Sequence, residues 1–125
     1  MLVDASGVLI SEAMNASSAD RTAHAEMVAL RQAADVSTER MHGATLYSSA
    51  EPCAMCAGGA YWAGIGRVVY ALSETRLLTL TGSHPENPTL SLPCREVFAR
   101  GQRAVEVLGP LLENEAAAAH QGFWD

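Results

Sequence analysis

No lysine occurs in this chain: its eight basic residues are all arginine, against fourteen Asp and Glu, for a formal charge of −6. Docking on a polyphosphate backbone takes clustered cations that displace counterions, so the balance speaks against a nucleic-acid partner and for a small substrate. The densest basic run, Arg95, Arg100 and Arg103, is interleaved with Glu96 and Glu106 and reads as a solvated helix face. Also missing is any apolar run near the roughly 18 residues of a membrane helix, which excludes a span of that kind. Met1-Leu2-Val3-Asp4 has neither the basic nor the apolar region of a secretory leader, so a cytoplasmic protein is expected. Cysteine is scarce and odd in number, three in all. That rules out an even disulfide framework and points Cys53 and Cys56 to metal or redox use. There is no internal repeat, and the one low-complexity tract, the alanines at 116–119, reads as helix.

The 125 residues, 49% of them hydrophobic, suit a single domain over 1–125 that buries about two thirds of its extended surface. Leu2-Val3, the turn Asp4-Ala5-Ser6-Gly7 and Val8 to Met14 predict the end of one strand, a turn and a second strand. Met27, Leu30 and Ala34 fall at helical spacing and predict a helix from Thr22 to about Val36, capped by Asp20 or Thr22. A strand over 44–48, a helix opened by Pro52 and running to about Ala63, and a strand over 67–72 follow. Pro85, Pro88 and Pro93 mark a long surface loop over 82–93. Beyond it the pattern predicts a short helix over 95–101, a strand over 104–108 and a closing helix from Leu111 to about His120. Strands alternating with helices imply α/β layers around one sheet.

The chemistry lies in His24-Ala25-Glu26 and Pro52-Cys53-Ala54-Met55-Cys56. Cys53 and Cys56, three apart in the first turn of a helix, present both sulfurs on one face. The partially positive helix N-terminus favours thiolate over thiol. Two thiolates and the His24 imidazole make a three-ligand zinc site with a fourth position open to water, the feature that separates a catalytic site from a structural one. Glu26, at i+2 from His24, diverges from it on a regular helix, but at a frayed first turn it reaches toward the water. Two thiolates neutralise the ion and leave its water less acidic than in an all-histidine site, where the pKa falls to about 7. A carboxylate must then take the proton and return it to the ring nitrogen and the leaving amine. H-x-E and C-x-x-C are weak signals separately. Joined as H-x-E … P-C-x-x-C they form the zinc deaminase signature. The competing reading, a non-catalytic zinc-stabilised binding module, wants a fourth protein ligand, and redox use leaves His24 and Glu26 unexplained.

On these residues, the segment from Thr22 to Leu72 resembles the cytidine deaminase-like superfamily, in the branch holding bacterial guanine deaminases and tRNA adenosine deaminases. Residues 22–26 and 51–58 are closely similar to that branch, and a weaker likeness runs from Leu2 to about Gly109. The resemblance implies a three-layer α/β/α sandwich with a mixed central sheet, and a homodimer or larger homo-oligomer. It implies one Zn²⁺ per subunit held by His24, Cys53 and Cys56, with Glu26 as the catalytic proton shuttle and substrate contacts at Asn15 and Ala25. Relatives begin with a helix and a full first strand. The N-terminal helix and part of the first strand are therefore expected to be absent here, leaving an apolar sheet face that invites association.

Within that branch, Ala60-Tyr61-Trp62-Ala63 is more similar to the Tyr-Trp-Ala of guanine deaminases than to the tRNA enzymes, which makes Trp62 a candidate substrate contact. Packing of Tyr61 and Trp62 against the sheet is the alternative. Leu111 to Asp125 carries Glu113, Glu115 and Asp125 with no Lys or Arg, a segment that would repel phosphates. In the tail Phe123-Trp124-Asp125, Trp124 is expected to stack on a planar base as a lid or to dock hydrophobically. The expected activity is hydrolytic deamination of guanine or a close analogue, with cytosine, adenine, a nucleoside or an aminotriazine left open. Deamination of tRNA adenosine and the non-catalytic module are the rivals. Cys94 is expected in the core, His42, His84 and His120 to be structural or exposed, and Glu74 and Glu86 to be candidate acids near the substrate amine.

Overall fold

The computed structural model describes residues 1–125. In chain order its elements are β1 (Leu2–Val3), β2 (Leu9–Ser11), α1 (Ala25–Gln32), α2 (Thr38–His42), β3 (Thr45–Ala50), α3 (Ala54–Trp62), β4 (Arg67–Leu72), α4 (Glu74–Thr81), α5 (Cys94–Ala99), β5 (Glu106–Leu108) and α6 (Glu113–Ala118). The first turn forms as its residues dictate. Asp4 Oδ1 accepts the N–H groups of Ser6 and Val8, each at 2.9 Å, and Gly7 takes a φ of 80° that a β-carbon would strain. β2 folds back antiparallel on β1, β1 pairs antiparallel with β3, and β3, β4 and β5 run parallel, in the order β2-β1-β3-β4-β5. Because β1 opposes both its neighbours, β2 points the same way as the parallel strands. The C-terminal ends of β2, β3, β4 and β5 therefore share one end of the sheet, the end at which open α/β sheets bind ligands.

Register decides which face is buried. Leu2 stands opposite Leu46, Leu46 opposite Val68, and Val68 opposite Val107. Leu2, Leu46 and Val68 are fully buried in one core with Ala29 and Leu30 of α1, Ala57 and Ala60 of α3, and Cys94 and Phe98 of α5. Gly59 permits the close contact of α1 with α3: a β-carbon there would lie 2.6 Å from Met27 Sδ and 3.4 Å from Leu30 Cδ1. The opposite face carries Leu9, Tyr47 and Leu108, which are 48%, 40% and 42% exposed. α6 packs on β4 without joining that core, with Ala117 buried. The third layer of the sandwich is thus reduced to one short helix.

The structure departs from expectation in four places. α1 is shorter than the predicted 22–36 because Asp20 folds a turn of its own: its Oδ1 accepts the N–H and hydroxyl of Thr22 at 2.9 and 2.8 Å. The N-cap passes to His24, extended at ψ 153°. Pro52 lies ahead of α3 rather than inside it, fully buried, and Cys53 takes the cap position. β2 stops at Ser11, whose hydroxyl donates to the Ala29 carbonyl at 2.9 Å and ties the strand end to α1. The sequence pattern does not predict α2 or α4, which at five and eight residues are too short for periodicity to show. Each is started by a serine, Ser37 or Ser73, whose hydroxyl accepts the N–H of Arg40 or Arg76 at 3.3 Å.

The two faces of the sheet predict unequal mutational costs. Leu46→Ala should lower stability by about 3 kcal/mol, and Leu108→Ala by about 1 kcal/mol or less. Urea unfolding of both variants checks this, and equal losses would contradict the one-sided core.

Candidate active site

The site is assembled at two helix starts. His24 is the N-cap of α1, Cys53 is the N-cap of α3, and Cys56 follows in the first turn of α3. The His24 side chain makes no cap bond to its own helix and meets the Cys53 and Cys56 sulfurs across the α1–α3 contact. His24 Nδ1 lies 3.6 Å from Cys53 Sγ and 3.6 Å from Cys56 Sγ, and the three donor atoms fall within 4.8 Å of one another. Zn–S bonds of about 2.3 Å and Zn–N bonds of about 2.05 Å at the tetrahedral angle give an N···S separation of about 3.6 Å. The donor set therefore fits zinc. The cluster holds these three residues and no fourth, which leaves one tetrahedral position open and removes the main requirement of a purely structural site.

Glu26 sits beside this cluster without joining it. Its Oε1 accepts the Ser48 hydroxyl at 2.7 Å, and its Oε2 accepts from the Cys56 thiol at 3.6 Å. The Cys53 thiol is held well below the ordinary thiol range, at about 5, first by the hydrogen bond from Cys56 and then by the Cys56 backbone N–H and the His24 charge. Cys56 keeps its proton, held up by that same hydrogen bond, by burial and by Glu26. Both sulfurs bind a metal as thiolates, so binding displaces the proton that Cys56 is inclined to keep.

Two residues beside the site, Ser48 and Glu51, receive no role from the sequence, although Glu51 lies within the 51–58 segment that carries the family likeness. Ser48, at the C-terminal half of β3, orients Glu26. Glu51 is 7% exposed, and its Oε1 and Oε2 accept the N–H groups of Cys94 at 3.0 Å and Glu74 at 2.9 Å. One carboxylate therefore fastens the starts of α5 and α4 to the turn that carries Cys53.

The remaining candidates fall in different places. Ala25 is the first residue of α1, adjoining His24. Asn15 is exposed in the segment between β2 and α1, with Nδ2 donating to Ser17 Oγ at 2.9 Å. Trp62 closes α3. It is 86% exposed at the C-terminal end of α3, about 9 Å along the helix axis from Cys56 at 1.5 Å per residue, so it stands apart from the ligand cluster of its own subunit. It does not pack on the sheet either; Tyr61 does the packing, its hydroxyl accepting the N–H groups of Gln102 and Arg103 at 3.0 and 3.4 Å. Trp124 docks between two histidines: Nε1 donates to His120 Nδ1 at 3.1 Å, and its ring meets His84 at 5.4 Å. Glu86 is exposed in the same loop as His84. Cys94 is fully buried, and burial pushes its thiol up to about 12. Glu74 lies close enough to Cys53, Glu51, Glu26 and His24 to feel their charges.

A profile of the cytidine and deoxycytidylate deaminase zinc-binding region matches residues 1–72. The chain belongs to that family. It is 37% identical over 118 residues to a probable cytosine deaminase of Schizosaccharomyces pombe, covering 94% of this chain and 72% of that protein. It is 43% identical over 72 residues to a guanine deaminase of Bacillus subtilis, covering 55% of this chain and 46% of that one. A solved guanine deaminase from Nitrosomonas europaea superposes with a TM-score of 0.71 at 28% identity, over 94% of this chain and 66% of that chain. As a deaminase of this family the chain is a hydrolase, and its cofactor is zinc. When bound by His24, Cys53 and Cys56, zinc supplies the Lewis acidity that makes water a nucleophile at neutral pH. Ser48 holds the Glu26 carboxylate beside this donor cluster.

Replacing His24 or Cys56 with alanine should abolish stoichiometric zinc, read by elemental analysis of dialysed protein. Glu26→Gln should retain the metal and lose at least about 100-fold in turnover; a Glu26 variant without zinc would make that carboxylate a ligand instead.

Proposed function

We propose that this deaminase acts on a free nucleobase, guanine first, releasing ammonia, in the cytoplasm and as a homodimer. The observation that carries the reading is the three-donor cluster with its open fourth position and Glu26 alongside. Guanine is favoured by the likeness over 94% of the chain to the N. europaea enzyme, and related solved structures hold 2,6-diaminopurine and 8-azaguanine. Cytosine is the second reading, favoured by the fission-yeast relative. A tRNA adenosine deaminase of Haemophilus influenzae is 42% identical over 77 residues, but with a charge of −6 and no Lys or Arg beyond Arg103 this chain offers no basic segment to a tRNA.

In this reading Asn15 and the Ala25 backbone contact the ring, and Trp124 closes over it. The tail has a route there. Glu113 Oε1 accepts the Ser73 N–H at 3.0 Å and its hydroxyl as well, anchoring the start of α6 beside Glu74 at the same end of the sheet. The dimer reading rests on α3, which has no charged residue and turns Met55, Gly58 and Trp62 outward, with open space beside Gly58. A second copy of the chain would cover that uncharged stripe.

Zinc-loaded protein should release ammonia from guanine in a panel that also holds guanosine, cytosine, cytidine, adenine, adenosine and an aminotriazine. Deletion of 122–125 should raise KM for the same substrate; unchanged KM and kcat would remove the lid. Turnover of another member in place of guanine would move the substrate assignment and leave the chemistry standing. Trp62→Arg should convert a dimer to a monomer in analytical ultracentrifugation, and a wild-type monomer would overturn the assembly.

A further inference from the structure

One side chain at the site has a fixed backbone and no partner. Glu74 opens α4 directly after the C-terminal end of β4. Its N–H is held by Glu51 Oε2 at 2.9 Å, and its neighbour Ser73 is held by Glu113. The Glu74 carboxylate itself is half-buried and makes no hydrogen bond or ion pair; Arg76, two residues on, turns instead to Glu113 at 3.6 Å. It is not one of the metal-binding residues, and Ser48 and Cys56 bond to Glu26 rather than to it. Burial and the negative charges of Cys53, Glu51 and Glu26 raise its pKa. Its two acceptor oxygens are therefore left to solvent at a half-buried position, and no side chain of the protein donates to them.

We infer that Glu74 is a specificity-determining residue, its carboxylate accepting a hydrogen bond from an N–H or O–H donor of the substrate. The inference rests on the nucleobase reading above. A free base offers such a donor as a ring N–H or an exocyclic amine, and a nucleoside adds the hydroxyls of its sugar. Closure of the site around a bound substrate would take the half-buried carboxylate out of water, and an analogue lacking the donor would then leave it unsatisfied.

The test uses zinc-loaded full-length protein in a Glu26→Gln background, where calorimetry reads binding without turnover. Guanine, cytosine, guanosine and cytidine are the probes. Glu74→Ala should weaken the Kd of the bound probe by about tenfold or more, with Glu74→Gln, which keeps one acceptor oxygen, recovering part of the loss. Weakening already seen with the free base puts the donor on the ring; weakening confined to the nucleoside puts it on the sugar, and either outcome supports the role. With Glu26 intact, Glu74→Ala should raise KM with little change in kcat. Equal Kd values with and without Glu74, at matched zinc content and melting temperature, would overturn the inference, as would a collapse of kcat at constant KM. Binding that depends on Glu74 without ammonia release by the Glu26 protein would sink the deaminase substrate reading alone. Failure of every probe to bind removes both.

Discussion

Over Gly59 the two ligand-bearing helices come into contact, Met27 and Leu30 of α1 lying where a β-carbon of α3 would otherwise stand. Every donor atom depends on that spacing. His24 hangs from the cap of one helix and Cys53 from the cap of the other, so a helix separation wider by an ångström would carry Nδ1 off both sulfurs. Burial of apolar surface is non-directional and would by itself accept many helix spacings. Close packing at near-crystalline density is what converts it into a defined position. Here Gly59 leaves room for the end of the Met27 side chain between the two helices.

A second layer of control is polar. The sheet brings four strand ends to one end of the molecule, but strand ends alone do not orient the loops and helices that leave them. Glu51 does so for three of these segments at once: it follows β3, precedes Cys53 by two residues, and accepts the backbone N–H groups that begin α4 and α5. The partial positive charge of each helix start makes a buried carboxylate acceptable there. Ser73 and Glu113 repeat the device between α4 and α6. Two sets of hydrogen bonds thus fix the site, one around Glu26 and the metal ligands and one around the starts of α4, α5 and α6, and such fixing of side chains and loops is what orientation of reacting groups needs.

The opposite side of the sheet is organised differently. Leu9, Tyr47 and Leu108 remain substantially exposed there, and α6 is the sole helix packed against β4 on the far side of the core. The contrast places the demanding packing on the face that carries α1, α3 and α5, where the chemistry is. The far face contributes support and the anchor of the acidic C-terminal segment.

The residue order of this chain determined its chemistry. H-x-E followed by P-C-x-x-C encodes the donor types, their local spacing and the carboxylate beside them, because a cap and the first turn of a helix are short-range structures that few residues specify. The strand over 67–72 was legible to the residue as a short apolar run, Val68 to Leu72. Three things were decided only by the tertiary structure. Glu51 and Ser48 gained their roles through partners 22 to 43 residues away, contacts that no local pattern contains. Trp62 was read from its neighbours as a substrate contact, yet the pitch of α3 carries it to the exposed far end. Glu74 was recognisable as an acid, but its lack of a partner exists only once Arg76 has turned to Glu113. Short-range geometry is written in the order of residues; which groups end up paired, and which are left waiting for a ligand, follows from the packing of the whole chain.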